Sequence, residues 1–287
     1  MTLGLHNEPD LFRDSVRFTA EQTGYAANLI EKDYLCSVLL DYLAQTSDGS
    51  LIFKGGTCLA KVYFDFKRLS EDLDFVIPMP TDASRKERST CADLYKKAIS
   101  RLSTVQPIFS LIKPLEGRNE NRQYIASLSY TSFLDAHENS IELEIGLREP
   151  LLRAPINAKA ATILRNAANP ENSLALIPFP CLSFEEAMAE KFRAALSRRE
   201  VAIRDFYDID YAILQKDLRV GEDGFVEMVR KKLAVPGNDP TDMSMQRLVA
   251  LSNQVDARLK PVLRPNDFDA FDLERAIAHI AQLNSRL

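Results

Sequence analysis

The spacing of apolar side chains changes twice along this chain. Over residues 26–45, Leu29, Tyr34, Leu35, Val38, Leu39 and Tyr42 recur at helical intervals, and residues 11–23 form an earlier helix ended by Gly24. Ser47-Asp48-Gly49-Ser50 is a turn. The short apolar run 51–53 then enters Gly55-Gly56, the mark of a strand running into a tight turn, and residues 57–64 can form a short helix. Residues 73–77 predict a strand stopped by Pro78, and residues 83–102 a charged amphipathic helix. Three strands are expected at 109–112, 124–130 and 141–147. In the last, Ile141, Leu143, Ile145 and Leu147 alternate with Glu142, Glu144 and Gly146, a period of two.

From about residue 182 the pattern is helical to the end. Ser183-Phe184-Glu185-Glu186 fits a capping box, in which Ser183 accepts from the amide three residues on and Glu186 reaches back. Further helices are expected at 204–215, 224–233, 243–259 and 271–283, with breaks at Pro236 and Pro240 and at Pro261 and Pro265. The prolines and asparagines of 153–180 predict the junction of two domains, 1–175 and 176–287. No repeat or low-complexity tract is visible.

Composition narrows the class without naming an activity. The 287 residues are 46% hydrophobic and 27% charged, ordinary values for a globular chain with a sizeable core. No apolar run approaches the ~20 residues of a membrane helix, and residues 1–10 lack the apolar segment of a signal peptide. A cytoplasmic protein is the expectation. Cys36, Cys58, Cys91 and Cys181 form no C-x-x-C pair, so they read as reduced, buried thiols rather than zinc ligands. His6, His137 and His279 are scattered and support neither a histidine metal site nor a Ser-His-Asp triad. A net charge of −5 argues against a general nucleic-acid coat protein, while leaving room for a local basic patch.

Two short motifs carry the chemistry. Lys54-Gly55-Gly56-Thr57 lies between a strand and a helix start, where free amides and the Thr57 hydroxyl would attract a phosphate oxygen. Taken alone it is an ordinary Gly-Gly turn. Asp72-Leu73-Asp74 places two carboxylates on one face of a strand, with Leu73 and Phe75 on the other. Such a pair repels itself unless a cation lies between, and Mg²⁺ suits oxygen ligands that also face nucleotide phosphates. Taken alone it is a solvated acidic strand. Glu142 and Glu144 share a strand face and offer a third carboxylate.

The order strand, Gly-Gly-Thr, short helix, Asp-x-Asp strand resembles a polymerase-β-type nucleotidyltransferase core. Phe53-Lys54-Gly55-Gly56-Thr57 with Arg68-Leu69-Ser70-Glu71-Asp72-Leu73-Asp74-Phe75 is similar to the first motif of the AbiEii/AbiGii toxin family, nucleotidyltransferases of bacterial toxin–antitoxin and phage-defence systems. The resemblance runs from about Glu31 to Tyr211. Glu144, between Leu143 and Ile145, matches the family's third acid better than Glu142 does. Glu190-Lys191 matches a pair whose lysine is thought to contact nucleotide phosphates; unaided, Lys191 reads as a lysine at the edge of the stripe Phe184, Met188, Phe192 and Ala195. Arg204-Asp205-Phe206-Tyr207-Asp208 resembles the family's Arg-Asp-x-Tyr-Asp, in which an aspartate meets that lysine. Asp205 is the first choice for it and Asp208 the second; otherwise both are acids favourable near a helix N-terminus. Arg193, Arg198, Arg199 and Arg204 read as a solvated face, with an RNA or triphosphate patch as the alternative. Glu31-Lys32-Asp33-Tyr34 also resembles a family segment and reads as packing; a tryptophan often follows the tyrosine there, but this chain has Leu35 and no tryptophan.

The resemblance implies an α/β (α+β) fold: a polymerase-β-type mixed sheet with flanking helices, followed by a C-terminal helical lobe that completes the site. It implies Mg²⁺ or Mn²⁺ on Asp72, Asp74 and Glu144, and a nucleoside triphosphate on Gly55, Gly56, Thr57, Lys191 and Asp208. Asp72, Asp74, Glu144, Lys191 and Asp205 would be the catalytic set. It further implies an RNA acceptor such as a tRNA 3′ end, a cognate antitoxin, and no membrane partner. Two rivals remain: transfer to a small molecule or a protein side chain, and a non-catalytic nucleotide-binding regulator.

Overall fold

The residues around the expected site form the centre of a seven-stranded mixed sheet. The computed structural model describes residues 3–171 and 174–287. Met1 and Thr2, which begin the segment read as lacking a signal peptide, and Asn172 and Ser173, inside the expected junction, lie outside them. The described chain divides into two compact units: Met1–Leu151 with Pro155–Leu182, and Leu152–Ala154 with Ser183–Leu287.

The first unit opens with α1 (Pro9–Thr23) and α2 (Ala27–Thr46), followed by β1 (Ile52–Lys54) and the short α3 (Gly55–Cys58), which continues as a π-helical turn over Leu59–Tyr63. Then come β2 (Leu73–Val76), α4 (Arg85–Val105), β3 (Ser110–Arg118), β4 (Gln123–Thr131), β5 (Glu138–Gly146), β6 (Ile156–Ala160) and β7 (Ile177–Cys181). In the sheet order β3-β4-β5-β2-β1-β7-β6, β2 runs parallel to β5 and β1 parallel to β7; the other neighbours are antiparallel. One sheet face is largely apolar. Phe53, Phe75 and Phe179 pack ring to ring, and they share one buried cluster with Ile141, Leu143 and Ile145 and with side chains of α2 and α4. The other face carries Asp74 and Glu144, so the period of two in β5 does set which side chains stay accessible.

Four differences from the sequence reading have physical causes. Residues 153–180, expected as a junction, contain β6 and β7; prolines at 178 and 180 mask a strand whose paired residues still alternate between buried and less buried. β3 extends past Pro114 to Arg118 because it is an edge strand with register shifts on both sides of Lys113. α2 is buried almost all round rather than along one stripe. Of the four free cysteines, Cys91 is exposed and the other three are buried, where burial pushes the Cys36 thiol up to about 12.

The burial of α2 takes in its charged residues, and each has a partner. Asp33 Oδ1 meets Lys61 Nζ at 2.6 Å, with the two side chains 2% and 0% exposed. Lys61 also donates to Ser37, and Asp33 Oδ2 accepts from the Thr162 hydroxyl and the Ile163 amide. Glu31 accepts from Ser132 and the Phe133 amide, and Lys32 pairs with Glu71 at 3.0 Å. The Glu31-Lys32-Asp33 run therefore ties α2 to four separate parts of the unit, one of them the segment that leads into β2.

The second unit is helical: α5 (Phe184–Ser197), α6 (Ile203–Gln215), α7 (Asp223–Leu233), α8 (Met245–Ser252), α9 (Pro265–Asp269) and α10 (Leu273–Asn284). The helix expected over 243–259 stops at Ser252 and resumes as a π turn at Val255. Between them Gln254 turns its side chain to the Ile203 amide and the Val201 carbonyl. The capping box expected at Ser183 is half formed. Ser183 accepts from the Glu186 amide, but the Glu186 carboxylate is buried and turns instead to the Leu152 and Arg153 amides and to Lys232 at 2.8 Å. A complete capping box sits elsewhere, at Ser84 and Glu87 of α4. Among the described residues no helix is long and apolar enough to cross a membrane.

The Asp33–Lys61 pair gives a direct test. Breaking a buried ion pair leaves one charge unpaired and costs about 3–5 kcal/mol. Urea denaturation of Asp33→Ala should show a loss of that size, whereas Asp10→Ala, at the exposed Asp10–Arg13 pair, should change stability by less than about 1 kcal/mol.

Candidate active site

The two short motifs meet because β1 and β2 are antiparallel neighbours. Lys54 pairs with Asp74, so the turn that leaves β1 begins beside the second aspartate. Gly55 has φ +78, a left-handed conformation that favours glycine. A Cβ placed on it would overlap Asp74 Oδ2. Two independent constraints therefore require glycine, and the second is the carboxylate itself. Gly56 is closed in from the other side: a Cβ there would lie 2.6 Å from Arg68 Nη2 and 3.0 Å from the Ser70 hydroxyl.

Thr57 is 1% exposed and its hydroxyl donates to the Asp72 carbonyl. That hydroxyl, expected at a phosphate, links the turn to the carboxylate strand. The groups left to face an anion are the backbone amides that start the helical segment, which have no acceptor inside it.

The third carboxylate falls in line with the second. In the parallel β2–β5 ladder, Leu73 pairs with Leu143 and Asp74 with Glu144. Lys54, Asp74 and Glu144 thus form one row across three strands on the accessible face. Asp72, just before β2, accepts from the Glu142 amide at 3.3 Å. The Glu142 carboxyl is pushed above the ordinary carboxylate range, first by partial burial and then by the negative charges of Asp72 and Glu144. Four carboxylates on one strand pair make this the acidic centre of the sheet.

Among the described residues no group of three or more His, Cys, Asp or Glu side chains is already gathered around a metal-sized space. Asp72 is held by the Glu142 amide and Asp74 rests on Gly55. The donor chemistry nevertheless fits a hard divalent cation. Every donor is a carboxylate oxygen, two donors come from directly paired positions, and Glu142 shows the repulsion that a cation would relieve.

In the helical unit, Lys191 projects from α5 to two acids one turn apart on α6. Its Nζ lies 2.7 Å from Asp205 Oδ1 and 2.9 Å from Asp208 Oδ2. Lys191 is 13% exposed, Asp205 7% and Asp208 1% by side chain, so two carboxylates share one ammonium away from bulk water. Asp205 Oδ2 is buried with no hydrogen-bond partner, and Arg198 Nη1 stands 3.8 Å from it. Asp210, on the same helix, binds Arg275 of α10 through both oxygens at 2.8 Å and so fixes α6 in place.

The structure thus brings together Gly55, Gly56, Thr57, Asp72, Asp74 and Glu144 in the first unit, and Lys191, Asp205 and Asp208 in the second. Sequence reasoning left Lys54, Arg68 and Ser70 without roles. The signal was present: all three lie inside the motif stretches, and a basic residue buried to 3%, as Arg68 is, needs a partner.

The Glu142 environment predicts a pH signature. Its folded-state pKa is raised, so stability falls as pH rises from the ordinary carboxylate range through the raised value, then levels off. Glu142→Gln should melt higher than the parent protein at pH 7 to 8 and at the same temperature below about pH 3.5. Equal melting temperatures at both would contradict the repulsion.

Comparison with known proteins gives the family and the fold. The family model described as nucleotidyl transferase AbiEii toxin, type IV toxin–antitoxin system, matches residues 38–281. Among solved structures, JHP933 from Helicobacter pylori is similar over 91% of this chain and 92% of its own, at 15% identity and a TM-score of 0.52, a likeness of fold. MenT4, a nucleotidyltransferase toxin from Mycobacterium tuberculosis, aligns over 96% of this chain and 98% of its own, at 17% identity and a TM-score of 0.44. None of the curated proteins compared with the chain matches it. The chain belongs to the AbiEii family of nucleotidyltransferase toxins, enzymes of type IV toxin–antitoxin systems with a nucleoside triphosphate as substrate and a cognate antitoxin as partner.

Proposed function

We propose that this toxin is a metal-dependent enzyme that transfers a nucleotide from a nucleoside triphosphate to the terminal hydroxyl of an RNA, such as a tRNA 3′ end. The observation that carries the metal dependence is the pairing of Asp74 with Glu144, with the Asp74 carboxylate seated on Gly55. It sets a row of carboxylates beside the backbone amides that open a helical segment, and those are the two surfaces that a metal-bound triphosphate requires. The RNA acceptor rests on the family resemblance.

Asp72, Asp74 and Glu144 would hold Mg²⁺ or Mn²⁺, which supplies charge neutralisation at the phosphates and lowers the pKa of the acceptor hydroxyl. The amides of Gly55, Gly56 and Thr57 cradle phosphate oxygens. Glu144 accepts the hydroxyl proton as the acceptor oxygen bonds to the α-phosphorus. The bond to the β-phosphate oxygen breaks and pyrophosphate leaves. The family resemblance gives Lys191 the role of neutralising phosphate charge. Asp205 and Asp208 hold the Lys191 ammonium in one position, so its side chain is oriented in advance.

Labelled triphosphate supplied with total RNA, and separately with protein extract, tests the reading. Label should appear on a small RNA, disappear with a chelator, and disappear in Asp72→Ala. Label on protein alone would rule out the RNA acceptor. Gly55→Ala should lose activity on the order of 100-fold with its circular dichroism intact, because the added methyl displaces Asp74 from its seat. Full activity in that variant would show that the seat does not matter.

A further inference from the structure

A second concentration of charge lies in the helical unit, apart from the Lys191 cluster. A cavity of about 550 Å³ is lined by Arg199, Arg247, Arg258, Glu200, Asp242 and Gln246, among others. It is a built site. Arg247 is 7% exposed, and its two terminal nitrogens donate to the Arg198 and Ala195 carbonyls, each at 2.7 Å, at the end of α5. Its Nε is buried and has no hydrogen-bond partner. The α8 helix starts at the same place: Ser244 lines the cavity and accepts from the Arg247 amide, so the positive end of α8 borders it. Gln254, another lining residue, is locked to the backbone at Val201 and Ile203.

We propose that this cavity is a phosphodiester subsite for the single-stranded end of an RNA; the inference rests on the RNA acceptor proposed above and says where that RNA is gripped. Charge decides between the candidate anions. Three guanidiniums against two lining carboxylates, with Asp239 also 4.0 Å from Arg199, leave at most one net positive charge, which suits the single charge of a phosphodiester and falls short of the three to four negative charges of a free triphosphate. The volume lies within the roughly 300–1,000 Å³ of small-ligand pockets and accommodates a nucleotide with its flanking phosphate. The Gln246 amide, exposed at the rim, offers both a donor and an acceptor to a ribose or base edge. Arg198 links the cavity to the Lys191 cluster within this unit. Arg247 holds the carbonyl of Arg198, and the side chain of Arg198 reaches to 3.8 Å from Asp205.

The test uses the full chain and a fluorescent single-stranded RNA of about ten nucleotides, long enough to exceed one subsite. Anisotropy is measured over a salt series for the parent protein, the double variant Arg199→Gln/Arg258→Gln, and Arg219→Gln as a control. Arg199 and Arg258 are exposed and outside the helix core, so the double variant keeps the fold; Arg219 removes the same kind of charge at a different cavity of this unit. The double variant should bind about tenfold more weakly, with a salt slope smaller by about 0.7 for each phosphate it no longer neutralises, and Arg219→Gln should bind like the parent. Equal binding by parent and double variant would overturn the subsite while RNA labelling by the parent still upheld the function. Equal weakening in the double variant and in Arg219→Gln would also overturn it, as general charge attraction. If the parent binds no RNA but binds a polyglutamate peptide in a way that depends on Arg199 and Arg258, the cavity is a protein-docking site and the proposal is wrong. Absence of RNA labelling by the parent is a separate result that removes the RNA acceptor itself.

Discussion

The carboxylate of Asp74 rests against a backbone atom that bears no side chain, and the rest of the catalytic sheet is arranged around that contact. It requires glycine at position 55 twice over, by φ and by space. It requires β1 and β2 to be antiparallel with Lys54 opposite Asp74, because any other register would separate the turn from the acid. It also requires β5 to lie parallel to β2, so that Glu144 falls beside Asp74 while Leu143 and Ile145 enter the core. The aromatic packing of Phe53, Phe75 and Phe179 on the far face fixes that register. Slipping a strand by one residue would turn carboxylates into the core and phenylalanines into water.

Charges that cannot reach water are handled by the same rule throughout: each is given a partner of opposite sign or a backbone dipole. Lys61 and Asp33 neutralise each other under α2, and Glu186 takes Lys232 and two amides in the helical unit. Glu142, beside the acidic row on β2 and β5, departs from the rule. Glu142 titrates high because partial burial and two like charges outweigh the opposing pull of Arg118 and Lys113. The structural pairs are closed, whereas Glu142 carries a charge that its neighbours Asp72 and Glu144 oppose. Asp205, with one oxygen on Lys191 and the other lacking a hydrogen bond, is a smaller instance of the same departure. Such departures mark functional sites because a ligand completes the electrostatics.

Much of this could be read from the residues. The alternation in Ile141–Leu147 gave the face of Glu144, and the Asp-x-Asp spacing gave the shared face of Asp72 and Asp74, because strand geometry has a fixed period of two. The Lys191 and Asp205 assignments needed family resemblance, since helical spacing alone made them a surface lysine and a favourable N-terminal acid. Other features were hidden because they depend on contacts far apart in sequence. Nothing local shows that the Thr57 hydroxyl is spent on the Asp72 carbonyl, or that Glu186 leaves Ser183 for Leu152 and Lys232. β6 and β7 escaped detection because their prolines suppress strand propensity while sheet pairing overrides it. The contact of Gly55 with Asp74 was invisible for the same reason: the sequence shows the glycine and the acid, but only the β1–β2 register joins them.

The central claim is that the Gly55 turn and the carboxylate row form a single metal–triphosphate site. The most direct test is a crystal structure of the protein with Mn²⁺ and a non-hydrolysable triphosphate, read by anomalous scattering at the manganese edge. The account predicts a manganese peak within coordination distance of Asp72 and Asp74, with triphosphate oxygens on the amides of Gly55 to Thr57. A manganese peak away from those two carboxylates, or a triphosphate bound away from the turn, would contradict it.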